Sequence, residues 1–399
     1  MTKTSKSAAF LVSACRTPIG AFQGSLAPKS ATELGALVIA EAVRRAGIDG
    51  GEIDEVIMGN VIQAGSGQAP GRQAAIKSGL PATIPALTIN KVCGSGLKAV
   101  MLAAQSIRAG DNNCVVAGGM ESMSNTPYLL HGAKEGLRFG HKKFEDAMIL
   151  DGLWDPFQNW HMGNAAEYTA DKAGIPRARQ DEFALNSHKK ALSAIESGKF
   201  KEEIVAVEIP RRRGDPVVFD TDECPRPDVS LEKLGKLRPA FQKEGGTVTA
   251  GNSPGLNDGA SALVVVSEKT LNERKLAPLA RVIDYAAAGV EPKDLFFAPI
   301  YAVQALMAKM EVTIDHFDLI EANEAFSVQA LTDGDGLGWD WERVNINGGA
   351  VALGHPIGAS GARVLTTLIY ALKDREKKTG LATLCLGGGN AVALAVEVG

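Results

Sequence analysis

Two cysteines and one histidine each stand beside a run of glycines: Cys93 in "KVCGSG", Cys385 in "CLGGG" and His355 in "GHPIGASG". Glycine lets a substrate approach the backbone closely, so N–H groups in such turns can reach an oxyanion. Cys93 lies between a short apolar run and the helical pattern "GLKAVMLAAQSIRAG". A thiol at a helix start feels the positive end of the helix dipole, which predicts a lowered pKa and a thiolate nucleophile. The plainer alternative is a small buried hydrophobe at a strand–helix corner. His355 precedes a second glycine-rich helix start, so a Cys93–His355 pair would form an activated nucleophile. Cys385 is either a strand cysteine in a core or a second thiol for proton transfer, with backbone donors at Gly387 to Gly389. Asn323, in "EANEAF", is either a helix N-cap or an amide that fixes a catalytic water. His161, in "NWHMGN", is intermediate. His131, His141, His188 and His316 lie in charged stretches that predict solvent exposure and no role.

An internal repeat supplies the elements that must position these groups. "GSGLKAVMLAA" (residues 94–104) matches "ASGARVLTTLI" (residues 359–369), and each is followed by a strand ending in glycines, "CVVAGGM" and "TLCLGGGN". Upstream, "DEVIMGN" pairs with "FDLIEAN" in the same order. Repeats in register predict two related α/β halves whose strand-end loops meet at one cleft. From about Met120 to Glu244 the texture changes to prolines, charge runs and isolated aromatics, which predicts an insertion; "RQDEFALNSHKKALSAIESG" is its clearest helix. The expected division is 1–119 with 245–275, an inserted 120–244, and 276–399.

Composition narrows the class. The chain has 399 residues, 45% hydrophobic and 22% charged, which is ordinary for a soluble protein with more than one core. A net charge of −4 gives no pull toward nucleic acid. An anionic ligand would need a local patch; "RRR" at 211–213 is either that or a solvated turn. The five cysteines include no CxxC pair, which argues against a disulfide scaffold or structural zinc and suits a reducing cytoplasm. No apolar run reaches spanning length, and "MTKTSKSAAF" reads as neither signal nor transit peptide.

The stretches "ACRTPIGAF", "VCGSGLKA", "AGGMESMS", "GLNDGA", "EANEAF", "NINGGAVALGHPIGASGAR" and "CLGGG" together resemble the thiolase family, on the side of its biosynthetic acetyl-CoA acetyltransferases, over essentially the whole chain. The resemblance implies two duplicated halves in a layered αβαβα arrangement with an inserted loop domain. It implies an acyltransferase without metal or cofactor, whose substrates are coenzyme A thioesters. The reaction would be reversible Claisen condensation of two acetyl-CoA to acetoacetyl-CoA and coenzyme A, by a ping-pong route through acetyl-Cys93. By the same resemblance His355 is the base for Cys93, and Cys385 takes the α-proton. His355 and a water on Asn323 form one oxyanion site, and the N–H groups of Cys93 and Gly387 form the other. Coenzyme A would lie near His161, Arg226, Phe241, Ser253 and Leu256, with Met162, Leu295 and Phe326 around the acyl group. The chain would form a homodimer or homotetramer. Ser253-Pro254 stands where many relatives have Ala-Ser, Leu295 where they have methionine, and Asn390 where they have methionine. Those departures bear on chain length, so a degradative 3-ketoacyl-CoA thiolase with a longer acyl pocket is the sibling reading. A non-catalytic acyl-CoA-binding protein and a cysteine hydrolase are the readings from other classes.

Overall fold

The computed structural model describes residues 7–211 and 213–399. The first half runs β1 (Ala9–Arg16), α1 (Ala31–Ala46), β2 (Glu55–Gly59), α2 (Pro70–Lys77), β3 (Ala86–Ile89), α3 (Ser95–Ala109) and β4 (Cys114–Ser122). A long excursion carrying α4 (Met162–Ala173) and α5 (Arg177–Glu196) then returns to the sheet as β5 (Asn257–Ser267). The second half runs β6 (Ala280–Gly289), α6 (Ala298–Met310), β7 (Leu319–Ala322), α7 (Ser327–Leu337), α8 (Ile357–Asp374), β8 (Thr379–Leu386) and β9 (Asn390–Glu397). Local chemistry sets several of these ends. Ser30 accepts from the Glu33 N–H and Glu33 returns a bond to the Ser30 N–H, a capping box that starts α1, and Gly47 stops it in the left-handed region.

The strands form one mixed sheet in the order β7-β8-β9-β6-β1-β5-β4-β2-β3, with Gly20–Ala21 pairing beside β5. The two halves share one strand pattern, β2-β4-β5-β1 in the first and β7-β8-β9-β6 in the second, with β3 an addition to the first. In the first, β2 and β4 are parallel, and β4–β5 and β5–β1 antiparallel. In the second, β7 and β8 are parallel, and β8–β9 and β9–β6 antiparallel. The repeat extends to irregularities: β1 bulges between Leu11 and Ser13, and β6 between Val282 and Asp284. The halves join where β1 meets β6 over three residue pairs, Ala9↔Val282 to Leu11↔Ala280.

Between the two half-sheets lie α3 and α8, packed on each other and on strands of both halves, while α1 covers the outer face of the first half and α6 that of the second. The result is the expected layering of helix, sheet, helix, sheet and helix. Every residue of α8 from Ile357 to Ile369 is buried, as a helix enclosed on all sides must be. The paired Ser-Gly motifs explain how it fits. A Cβ on Gly96 would sit 2.5 Å from the Ala362 N, and one on Gly361 would strike the Leu97 N, so each helix needs a glycine for the other's backbone. Gly119 likewise admits the Gly358 carbonyl against β4. No helix among the described residues is long and apolar enough to cross a membrane.

Candidate active site

Cys93 sits in the turn between β3 and α3. Asn90 Oδ1 accepts from the Val92 N–H at 3.0 Å, and Ser95 Oγ accepts from the Lys91 N–H at 2.8 Å while donating to the Val92 carbonyl at 2.6 Å. These bonds hold Val92 at φ +46°, a left-handed conformation that costs a β-branched residue about 1–3 kcal/mol. The strain lies directly before the thiol. Cys93 is half-buried. Burial pushes its pKa up to about 12, against the lowering influence of the Gly387 N–H and its own N–H. Loss of hydration thus opposes the thiolate that the helix start favours.

His355 precedes α8 and its partners define its tautomer. Nδ1 lies 2.6 Å from Ser360 Oγ, and that hydroxyl also lies 2.9 Å from the Pro356 carbonyl. One hydroxyl has one proton. With that proton on Pro356, Ser360 accepts from Nδ1–H, and Nε2 is left with its lone pair. Nε2 faces Asn323 Nδ2 at 3.4 Å. The His355 N–H donates to Asn257 Oδ1 at 2.8 Å. Burial, with Arg363 adding to it, pushes the His355 pKa down to about 3, so the imidazole is neutral.

Asn323 is fully buried at the end of β7, and α7 begins only at Ser327 with Phe326 at the cap position. It therefore caps no helix. Its N–H donates to the Thr383 carbonyl at 3.0 Å, and its Oδ1 has no partner in the chain. Asn345 clamps the preceding residue, accepting from the Ala322 N–H at 2.9 Å and donating to its carbonyl at 2.8 Å.

Cys385, near the end of β8, is 1% exposed. Its pKa stands well above the ordinary thiol value, chiefly through burial. Gly388 and Gly389 have φ +79° and +80°, conformations that the "GGG" run supplies without strain.

Cys93, His355, Cys385 and Gly387 line one cavity of about 370 Å³. His161, Met162, Phe241, Ser253, Leu256, Leu295 and Phe326 line it too. His161 stacks on Phe241 with centroids 4.9 Å apart, and a Cβ on Gly163 would strike that ring. Ser253 Oγ is buried without a partner in the chain. Arg226 is exposed and does not line the cavity; its guanidinium lies 3.4 Å from the carbonyl of Ala250, which does. Asn323 stands behind His355, outside the lining. Arg211 and Arg213 are exposed and away from it, and Arg212 lies outside the described residues, as do residues 1–6. A roomier opening of about 550 Å³ lies between α5 and residues 341–345, but its charged lining holds no cysteine or histidine.

One histidine differs from its sequence reading. His188 is 2% exposed, and its Nδ1 accepts from the Arg226 N–H at 3.1 Å. It sits on the inner side of α5, where the charges that flank it in sequence point away. Sequence reasoning also missed Ser360, Asn257 and Glu121. Glu121, fully buried at the end of β4, accepts from Asn60 Nδ2 and from the N–H groups of Val61, Ile62 and Gly358, tying α8 of one half to the other. The repeat, which set "CVVAGGM" beside "TLCLGGGN", and the stretch "AGGMESMS" pointed to that strand end without giving Glu121 a role.

Comparison with known proteins agrees with this geometry. The thiolase N-terminal domain matches residues 9–269 and the thiolase C-terminal domain residues 276–398. The chain is 56% identical to an acetyl-CoA acetyltransferase of Cupriavidus necator, over 97% of this chain and 98% of that one. It is 53% identical to an acetyl-CoA acetyltransferase of Escherichia coli, with the same coverage. The crystal structure of the Bacillus anthracis acetyl-CoA acetyltransferase superposes with a TM-score of 0.96 at 44% identity, covering 98% of this chain and 99% of that one. The chain belongs to the thiolase family.

Proposed function

We propose that the protein is an acetyl-CoA acetyltransferase, condensing two acetyl-CoA to acetoacetyl-CoA and coenzyme A and running the reverse. The observation that carries this reading is two thiols, Cys93 and Cys385, on one cavity with His355 and the Gly387 backbone. A hydrolase needs no second thiol.

The first half of the reaction transfers acetyl to Cys93. His355 Nε2 takes the Cys93 proton as the sulfur attacks the thioester carbonyl, and returns it to the departing coenzyme A sulfur. The N–H groups of Cys93 and Gly387 receive the oxyanion. In the second half the Cys385 proton passes to His355, and the Cys385 thiolate removes the α-proton of a second acetyl-CoA. The enolate oxygen is met by His355 and a water on Asn323. Its carbon attacks acetyl-Cys93, and the freed Cys93 sulfur takes the proton from His355. Burial makes the Cys385 thiolate a strong base, which abstraction beside a thioester requires.

Coenzyme A lies, in this reading, on the 120–244 segment and the 249–256 loop, with His161 and Phe241 along the pantetheine and Ser253 Oγ free to bond it. Arg226 meets the nucleotide end from outside the cavity. Phe296 and Phe326, edge-on at 5.4 Å, with Leu295 and Met162, leave room for a short acyl group. Exposed Tyr128, Leu137, Phe139 and Phe144 support assembly into dimers or tetramers. A cytoplasmic location fits the five free cysteines.

The test is kcat/KM for coenzyme A-dependent cleavage of acetoacetyl-CoA against 3-ketooctanoyl-CoA. A strong preference for the short substrate is expected. Equal or better use of the long one would favour the degradative thiolase, and activity on neither would overturn the enzyme reading.

A further inference from the structure

The stretch "LTDGDGLGW", residues 331–339, buries a carboxylic acid that the reaction above does not use. Asp333, on α7, is fully excluded from solvent. Its Oδ2 accepts a hydrogen bond from Gln329 Nε2, one turn earlier, and its Oδ1 has no partner in the chain. Gln329 is buried as well, and its Oε1 accepts from the Ala325 N–H at 2.8 Å. Ala325 and Phe326 line the active-site cavity, and Phe326 rests edge-on against Phe296. A continuous chain of contacts thus runs from a buried acid, through an amide, to the turn that walls the cavity.

The glycines around Asp333 keep it inside. A Cβ on Gly334 would strike Trp341, and one on Gly336 would strike Ile300, so α7 is pressed against both neighbours. No cation lies among the groups that perturb Asp333: burial raises its pKa well above the usual carboxylate range, and only the Gln329 bond opposes it. Desolvation therefore disfavours its charged form.

The two thiols are set in different walls. Cys385 packs with Leu295, Phe296, Ala325, Val328 and Leu331. Cys93 packs with Val61, Ile62, Met123, Met148 and Ile357. A change in α7 reaches the Cys385 wall first.

We propose that Asp333 is a positioning residue for the Cys385 side of the reaction: through Gln329 it holds the Ala325–Phe326 turn against which the second acyl group is aligned. The proposal rests on the acetyltransferase reading above. It requires the acceptor oxygen of Asp333, not its charge.

The experiment uses the full-length enzyme with Asp333→Leu, Asp333→Asn and Gln329→Leu. Two quantities are measured for each: single-turnover acetylation of Cys93 by acetyl-CoA, and kcat and KM for acetoacetyl-CoA thiolysis. Asp333→Leu is expected to lower kcat/KM for thiolysis about tenfold, while Cys93 acetylation stays within about twofold. Asp333→Asn, whose amide oxygen still accepts from Gln329, restores thiolysis. Gln329→Leu, which cuts the same link from the other side, shows the same split as Asp333→Leu. Wild-type thiolysis in Asp333→Leu would overturn the proposal. So would failure of Asp333→Asn to rescue, or equal loss of both activities. A wild-type enzyme inactive in both assays would instead overturn the acetyltransferase reading, and this proposal with it.

Discussion

Ser360 Oγ stands 2.6 Å from His355 Nδ1 and 2.9 Å from the Pro356 carbonyl, so one hydroxyl fixes which imidazole nitrogen carries the proton. Ser360→Ala leaves Nδ1–H without an acceptor and frees the ring to adopt the other tautomer. The expected result is a fall of roughly tenfold in the rate of Cys93 acetylation, with little change in acetyl-CoA binding. Rapid-quench labelling with radioactive acetyl-CoA measures it. An unchanged rate would show that the tautomer is held by other contacts.

The two thiols divide the work in a way that single substitutions separate. Cys93→Ala should abolish acetyl transfer. Cys385→Ala should still acetylate Cys93 but lose condensation by roughly 10²–10⁴-fold, the usual worth of a general base. Full condensation activity in Cys385→Ala would remove it from proton transfer. Because charge on Cys93 opposes ionisation of Cys385, Cys93→Ala should also make Cys385 react faster with iodoacetamide at high pH.

Acid stability carries the signature of histidines that are buried neutral. Burial and Arg226 push His188 down to about 4, whereas an unfolded histidine titrates near 6.5. As pH falls from about 6.5 to about 4, the unfolded chain binds a proton that the folded one refuses, so stability is lost over that window. His188→Gln removes this contribution. Its unfolding free energy should fall less steeply with pH there, by at most about 1.4 kcal/mol per pH unit. Parallel urea titrations of variant and wild type at pH 7, 6, 5 and 4 decide it, and identical slopes would mean that His188 is protonated in the fold.

The crossing of α3 and α8 has no room for a methyl group. Gly96→Ala and Gly361→Ala each place one against the partner's backbone. Each should cost at least about 1–3 kcal/mol. The two changes sit at the same contact, so the double variant should lose less than the sum. Thermal unfolding of the three proteins tests both statements. Loss of Cys93 acetylation should accompany the loss of stability, since these helices carry the turns of Cys93 and His355.

The repeat was the most legible feature, because duplication leaves helix starts and strand ends at matching positions whatever the intervening sequence. Its register alone brings the strand-end loops of Cys93, His355 and Cys385 toward one cleft. It did not reveal the matching bulges of β1 and β6, because "AFLVSA" and "ARVIDYA" share a backbone but few side chains. The environment of Cys93 was legible only in part for a related reason. A helix start can be read locally, whereas the desolvation that opposes it comes from distant segments closing over the sulfur. His188 escaped notice because the neighbours that flank it along α5 point to water, and burial belongs to one face of a helix. Asn323 looked like a cap because the helix was expected to begin at once; the strand instead continues into an irregular "NEAF" turn.

The joint between the halves has a consequence for how the chain is made. β1 lies in the middle of the finished sheet, yet its partners are residues 261–267 on one side and 280–282 on the other. During synthesis from the N-terminus it leaves the ribosome well before either neighbour. Its open edges, rich in apolar residues, stay unpaired until those distant segments follow. Pairings so distant in sequence also close late. The strand that is made first thus waits for partners from both halves, β5 and β6, before it can take its place in the sheet.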